Sequence, residues 1–465
     1  MKYVSTRGRA PVLAFDDVLL TGLANDGGLY VPETWPDLTE LLAAAVDRSY
    51  AETATAVMAP FVGDTIASAD LAALVADAYA GFDHPDVAPL HDLGDGRWLM
   101  ELFHGPTLAF KDMALQVVGR LFEHVLGRRA ERVTIVVATS GDTGSAAIEA
   151  CRDRDAITIV VLHPAGRVSA VQRRQMTTVD SPNVANVAID GTFDDCQDLV
   201  KALFADEPFR SDVHLSAMNS INWARVMAQV VYYVVAAAKV GGGGPIDVAV
   251  PTGNFGNVFA GEVARRCGVP IRHLGVATNR NDILARFFAT GVLQVDAVVP
   301  TISPAMDIQV SSNLERLLFD LLDRDGEATA ELLAEFRRTG RAEMPPAVMA
   351  RLRDGWWAGT ADESLTRTTI AGMHERAGIT VDPHTAVGLA VSEAHVDPSV
   401  PMVCLATAHP AKFPDAVEDA TGERPTLPDR LADLLDRPER HDTLPNELDA
   451  VRSYVAGAFG ERPGA

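Results

Sequence analysis

Residues 246–268 read IDVAVPTGNFGNVFAGEVARRCG. The first six are almost wholly apolar, as in a strand covered on both faces. A turn follows, made of Gly253, Asn254, Phe255, Gly256 and Asn257, and then a small-residue stretch with helical spacing. Strand, Gly/Asn turn and helix form one step of a parallel βαβ unit. The turn also has a chemical meaning. Glycines let backbone approach a ligand closely, and the free N–H groups and dipole of a helix start favour an anion. Two glycines and two asparagines within five residues suit a phosphate. The turn lacks the G-K-S/T of a P-loop. It also lacks the dinucleotide G-x-G-x-x-G, which argues against a Rossmann dehydrogenase.

The same alternation continues on both sides. VTIVVA (133–138) precedes SAAIEACRD, ITIVVLHP (157–164) precedes SAVQRRQM, and VANVAI (184–189) precedes DDCQDLVKALF. Downstream, IRHLGVAT (271–278) precedes DILARFFATG, and PMVCLATA (401–408) closes the series. The expected class is α/β, with parallel-rich sheets flanked by helices and ligands at the carboxyl ends of the strands. Leu38–Phe82 is rich in Ala, Leu, Val and Asp at helical spacing, which predicts an N-terminal helical domain over 1–90. Residues 91–425 form the expected catalytic core, a large domain plus a smaller mobile one at roughly 112–240. Residues 426–465 are acidic and dotted with proline, and read as a C-terminal helical tail on the outside.

Composition narrows the function. The chain has 465 residues, 48% of them hydrophobic, enough for two or three domains. Its 40 basic and 63 acidic residues give a net charge of -23, which repels nucleic acid. Cys151, Cys196, Cys267 and Cys404 are scattered without C-x-x-C spacing. That favours free buried thiols in a reducing, cytoplasmic compartment over zinc or disulfides. MKYVSTRGRAPVLAF has no apolar core of signal-peptide length, and YYVVAAA (232–238) is too short to span a membrane.

Three further loops carry candidate chemistry. VVATSGDTGSAA (136–147) sets Ser140, Gly141, Asp142 and Thr143 between a strand and a helix. It fits a carboxylate or phosphate site, or an ordinary capped turn. CLATAHPAKFPDA (404–416) delivers Thr407, His409 and Lys412 to a strand end, with His409 read as a turn residue. His384 in DPHTAVG (382–388) has no partner ligand at metal spacing and reads as part of a helix start, so no metal site is expected. Finally, ELFHGPTLAFKD (101–112) holds Lys111 between Phe110 and Asp112 after a Gly-Pro turn. One reading is a helix-start lysine in a surface ion pair with Asp112. The other is an amine that forms a Schiff base with a carbonyl. The carbonyl cofactor that also carries a phosphate is pyridoxal phosphate.

ELFHGPTLAFKD, ATSGDTGSAA, VPTGNFGN and ATAHPAKF occur in this order after MKYVSTRG and GLANDGGLYVPE. Together they resemble the threonine synthases of the long bacterial and fungal type. HPAGRVS (163–169), NSINWARV (219–226) and PAMDIQVSSNLER (304–316) are similar to the same family. The resemblance implies the tryptophan-synthase-β-like fold of pyridoxal-phosphate enzymes, fold type II. It makes Lys111 the lysine that holds the cofactor, and Gly253, Asn254, Phe255, Gly256 and Asn257 the loop around its phosphate. Thr407 becomes the hydroxyl facing the pyridine nitrogen. Such a hydroxyl does not enforce a protonated ring and so disfavours transamination and racemisation. Ser140, Gly141, Asp142 and Thr143 become the turn that receives the substrate carboxylate. Many relatives carry Asn in place of Asp142, and a carboxylate repels an anionic substrate, so Ser140 and Thr143 are preferred as direct ligands. For the leaving phosphate the candidates are Arg225 with Ser220 and Asn222, then Lys412, then Arg167.

The implied reaction turns O-phospho-L-homoserine and water into L-threonine and phosphate. The alternative is a threonine-synthase-like phospholyase that releases 2-oxobutyrate, ammonia and phosphate. An unregulated monomer or homodimer is expected, acting on a small molecule without nucleic acid or membrane.

Overall fold

Parallel strands organise the chain into two sheets, one in each of two units. The computed structural model describes residues 1–460; positions 461–465 of the expected tail lie outside the described residues. Strands are numbered along the chain.

Unit 1 comprises Met1–Val18, Leu23–Ala114 and Ser220–Pro425. A small antiparallel sheet holds β1 (Lys2–Ser5), β2 (Leu13–Ala14) and β3 (Tyr30–Pro32). The main sheet has six strands: β4 (Leu90–Gly94), β5 (Arg97–Glu101), β10 (Ile246–Pro251), β11 (Ile271–Thr278), β14 (Trp356–Thr360) and β15 (Met402–Ala406). Their order is β14-β11-β10-β15-β5-β4. Every pair is parallel except the β4–β5 edge. All six residues of β10 are buried, as the apolar run IDVAVP requires at the centre of a sheet. Val248 pairs with Val403 and Cys404 with Leu99, so β10, β15 and β5 present their carboxyl ends at one edge. A short antiparallel pair, β12 (Val292–Gln294) with β13 (Arg341–Glu343), completes the strands of this unit.

Residues 1–90, read from sequence as a separate helical domain, group with this sheet except for 19–22. The helices are present, and Tyr50–Val62 opens on a Ser49/Glu52 capping box. Their apolar faces, however, share a core with the catalytic part. The fully buried Trp223 lies 5.8 Å from Tyr3 and 5.9 Å from Phe61, ring centroid to ring centroid. Aromatic pairs at this spacing bind an N-terminal segment to the helix Trp223–Val240.

Unit 2 comprises Leu19–Gly22, Leu115–Asn219 and the described residues from Thr426 onward. Residues 220–240, expected in the smaller domain, therefore belong to unit 1. The strands of unit 2 are β6 (Val133–Ala138), β7 (Ile157–Pro164), β8 (Val184–Asp190), β9 (Leu215–Ser216) and β16 (Asp442–Pro445). They form an all-parallel sheet in the order β16-β8-β7-β6-β9. The C-terminal segment, expected to be a helical tail on the outside, holds a strand as well as a helix. Asp442 pairs with Val187 in β16, and Val451 and Val455 of the following helix are fully buried beside Leu199 and Leu203. The strand DTLP is four residues long and ends in proline. It has no readable period, and proline is tolerated because the strand is an edge. Among the described residues no helix is long and apolar enough to cross a membrane.

Candidate active site

At the carboxyl edge of the unit 1 sheet, the chain leaving β5 pairs onward with the chain leaving β15. Leu102 N–H donates to Ala406 O at 3.0 Å, Phe110 N–H to Thr407 O at 2.8 Å, and His409 N–H to Leu108 O at 3.0 Å. The intervening turn is tight. Leu108 holds φ at +62°, and a Cβ on Gly105 would collide with Asp112. Asp112 is fully buried and accepts from Thr107 N–H at 2.8 Å and Thr107 Oγ1 at 2.7 Å. It serves the turn that aims Lys111, from the interior and not from the surface. Lys111 opens its helix half-buried, with Nζ 5.3 Å from the Phe110 ring centroid.

Thr407 follows β15 and is buried. Its N–H donates to Thr385 Oγ1 at 3.1 Å, while its own hydroxyl has no hydrogen bond among the described residues. One strand over, the chain leaving β10 forms the Gly/Asn turn. Phe255 takes a left-handed φ of +64°, held by its buried ring stacked on Phe288 and Trp356 at 6.3 and 5.8 Å. The turn carbonyls are occupied: Ser311 Oγ donates to Gly253 O at 2.7 Å, and Asn313 N–H and Nδ2 donate to Asn254 O at 3.1 and 3.0 Å. The N–H groups of the helix Gly256–Arg266 are what this turn offers a ligand. Asn257 adds to them. Its Oδ1 accepts from Tyr232 and Tyr233 hydroxyls at 2.6 and 2.9 Å, while its Nδ2 is buried with no partner among the described residues.

Known proteins match along nearly the whole chain. Family models fit the threonine synthase N terminus over residues 2–79, the pyridoxal-phosphate dependent enzymes over 86–344, and the threonine synthase C-terminal region over 385–455. The threonine synthase of Pseudomonas aeruginosa is 53% identical over 460 residues, 98% of either chain. The crystal structure of pyridoxal-phosphate-bound threonine synthase from Brucella melitensis superposes with a TM-score of 0.97 at 48% identity, over 99% of this chain and 100% of that one. The yeast threonine synthase structure gives 0.93 at 36% identity, over 99% of each. The chain belongs to the threonine synthase family.

Its fold is that of the type II pyridoxal-phosphate enzymes, and pyridoxal phosphate is the cofactor. The residues present fit that group. A phosphate monoester has only acceptors, and the Gly253–Asn257 turn presents helix-start N–H groups plus the unmatched Asn257 Nδ2. Thr407 offers a free hydroxyl on the neighbouring strand end, and Lys111 the amine on the next. Among the described residues no cluster of His, Cys, Asp or Glu is arranged to hold a metal.

The remaining threonine synthase candidates divide between the units. In unit 1, Arg225 is buried, and burial pushes its pKa down to about 10, which leaves it cationic at neutral pH. Asn222 Oδ1 caps the same helix by accepting from Ala224 N–H at 3.0 Å. Ser220 is tied to the phosphate turn by Asn313, whose Nδ2 also donates to Ser220 O at 3.1 Å. Asn313 and Ser311 lie in PAMDIQVSSNLER, a stretch legible as familiar but not as a support for the turn. Lys412, a candidate for the leaving phosphate, lies in the interior. It is fully buried and donates to Thr107 O at 2.7 Å, bracing the Lys111 turn.

In unit 2, Gly141 has φ of +147° and would clash with Gln172 if it carried a Cβ. The Gln172 amide donates to Asp142 Oδ1 at 2.8 Å, which gives that buried carboxylate a neutral partner. Ser140 is exposed and Thr143 half-buried, both with hydroxyls at the strand end. Arg167 is exposed after β7.

Proposed function

We propose that this chain converts O-phospho-L-homoserine and water to L-threonine and phosphate, the last step of threonine biosynthesis. One observation carries the reading: Lys111, Thr407 and the Gly253–Asn257 turn follow three adjacent strands at one sheet edge. When bound there, pyridoxal phosphate supplies an electron-withdrawing ring that acidifies the Cα–H of an attached amino acid. The Gly253–Asn257 turn would hold the cofactor phosphate, and the Thr407 hydroxyl would face the pyridine nitrogen without forcing a proton onto it.

Lys111 Nζ carries the cofactor and then moves protons on the substrate. It takes one from Cα and one from Cβ; the pair left at Cβ expels phosphate from Cγ with its C–O bond, and the amine then delivers a proton to Cγ. Water then adds at Cβ, and a proton returns to Cα. A single amine on a flexible stem reaches all these carbons. Arg225 neutralises the departing phosphate; its buried charge and the Asn313 link from Ser220 to the cofactor turn support that role. Within unit 2, Ser140 and Thr143 offer hydroxyls to the substrate carboxylate, and Asp142 orients the turn through Gln172. We also place the enzyme in the cytoplasm as a monomer or homodimer, and the four buried free thiols support a reducing compartment.

The test is incubation of purified protein with O-phospho-L-homoserine, following phosphate, threonine and 2-oxobutyrate together. Equal amounts of phosphate and threonine are expected. Phosphate with 2-oxobutyrate identifies the phospholyase instead, and no phosphate release rejects both.

A further inference from the structure

The stretch DPHTAVG contributes nothing to the reaction as described above, yet its Asp382 is fully buried beneath the cofactor edge. As N-cap of the helix Pro383–Ser392 it accepts from His384 N–H at 2.9 Å and Thr385 N–H at 3.2 Å. A cap needs no more than that. Asp382 also accepts from His384 Nδ1 at 2.8 Å and from the Thr385 hydroxyl. Each of those two side chains then reaches a different part of the cofactor site.

The Thr385 hydroxyl spends its proton on Asp382, so its lone pair is what receives the Thr407 N–H at 3.1 Å. His384 spends its Nδ1 proton on Asp382, so its bare Nε2 receives the Ala305 N–H at 3.2 Å. Ala305 is the floor of the phosphate turn: a Cβ placed on Gly253 would lie 2.5 Å from Ala305 O. The His384 ring is itself buried, 4.8 Å from the ring of Phe413. One carboxylate thus polarises two side chains whose far ends fix Thr407 on one strand end and the support of Gly253 on the next.

We propose that Asp382 is a positioning residue for the cofactor, acting through Thr385 on the pyridine-facing hydroxyl and through His384 on the phosphate turn. The inference rests on the assignment of pyridoxal phosphate to this edge. It goes beyond that assignment by giving roles to three residues to which no contact with cofactor or substrate is assigned.

The test is equilibrium dialysis of the full-length holoenzyme against pyridoxal 5'-phosphate, with thermal unfolding of the same samples before and after cofactor removal. Thr385→Val keeps the shape and removes the acceptor for Thr407 N–H. Loss of that bond is expected to raise the cofactor Kd about tenfold, and Thr385→Ser to restore it. His384→Leu is expected to weaken binding similarly, with partial rescue by His384→Gln, whose amide oxygen reaches the Nε2 position. In each case the melting temperature without cofactor stays near that of the parent. Should Thr385→Val fail to fold, Thr385→Ala carries the same expectation. Parental Kd values in the Thr385→Val and His384→Leu variants, with melting lowered equally with and without cofactor, would reduce Asp382 to a helix cap and overturn the proposal. Failure of the parent itself to bind pyridoxal 5'-phosphate would instead reject the cofactor assignment.

Discussion

The backbone N–H of Phe110 donates to the carbonyl of Thr407 at 2.8 Å. Phe110 is the covalent neighbour of Lys111, so this bond sets the amine and the pyridine-facing hydroxyl in one register. The Leu102–Ala406 bond carries the parallel β5–β15 pairing one residue further, while the Phe110–Thr407 and His409–Leu108 bonds form an antiparallel bridge at Ala109 and Ala408. The lysine therefore sits two residues past an antiparallel bridge to the segment leaving β15, on a turn braced by buried Asp112 and Lys412. The left-handed Leu108 and Phe255 each cost about 1–3 kcal/mol, and both flank this edge, where packing holds them in place.

Replacing Lys111 with alanine removes the only group assigned to move protons at Cα, Cβ and Cγ. Turnover is expected to fall by at least about 10²–10⁴-fold. Borohydride should fix the cofactor covalently to the parent chain and leave the variant unlabelled. Labelling of the variant at parental level, read by mass spectrometry, would transfer the role to another amine.

Gly253→Ala tests the cradle by sterics alone. The added Cβ would sit 2.5 Å from Ala305 O, closer than real Cβ contacts allow. Either the turn or the 304–306 segment must shift, at a cost of about 1–3 kcal/mol. A loss of cofactor affinity of about tenfold or more is expected, together with a lower melting temperature of the holoenzyme. Unchanged affinity would mean that the turn does not approach the phosphate.

Much of this was legible in the chain. The runs at 133–138, 157–164, 246–251 and 271–278 are strands over those same residues, because strands covered on both faces are continuous apolar runs. Thr407 and the Gly253 turn are visible because each follows such a run, and Lys111 because it follows a Gly-Pro turn in a stretch that resembles the family. What stayed hidden depends on contacts across long separations. Asp142 looked anomalous beside an anionic substrate until Gln172, thirty residues on, gave its carboxylate a donor. Lys412 reads as a cation for phosphate, and the structure adds a bond no local pattern shows, from its ammonium to Thr107 O, 305 residues away. Asn313 and Asp382 have ordinary sequence neighbours; their importance lies in joining loops that no local pattern brings together.

Arg225→Ala should separate substrate from cofactor. Arg225 is buried on a helix capped by Asn222, and its charge survives burial at neutral pH. Losing a charge-assisted contact to the departing phosphate costs about 1.5–3 kcal/mol, which predicts kcat/KM lowered by about 10–100-fold. Cofactor Kd should stay within about twofold of the parent, since no step of cofactor binding is assigned to it. A variant with intact kinetics would pass the role to another cation. One that loses the cofactor would show that Arg225 supports the phosphate turn.

The C-terminal segment gives a pH prediction. Glu439 accepts from Arg173 at 2.8 and 3.0 Å and from Thr177 Oγ1 at 2.8 Å, joining that segment to the helix Ala170–Thr177. The Arg173 hydrogen bonds, against a smaller opposing effect of burial, hold its carboxyl below the ordinary value of 4.5. A carboxyl depressed in the folded state adds stability above its unfolded pKa and loses it as pH falls through the folded one. Glu439→Gln should therefore lower the urea midpoint at pH 7. The gap between parent and variant should close as pH drops below about 4.5. A gap that stays constant down to pH 3 would show that the amide's altered packing, and not the charge, caused the loss.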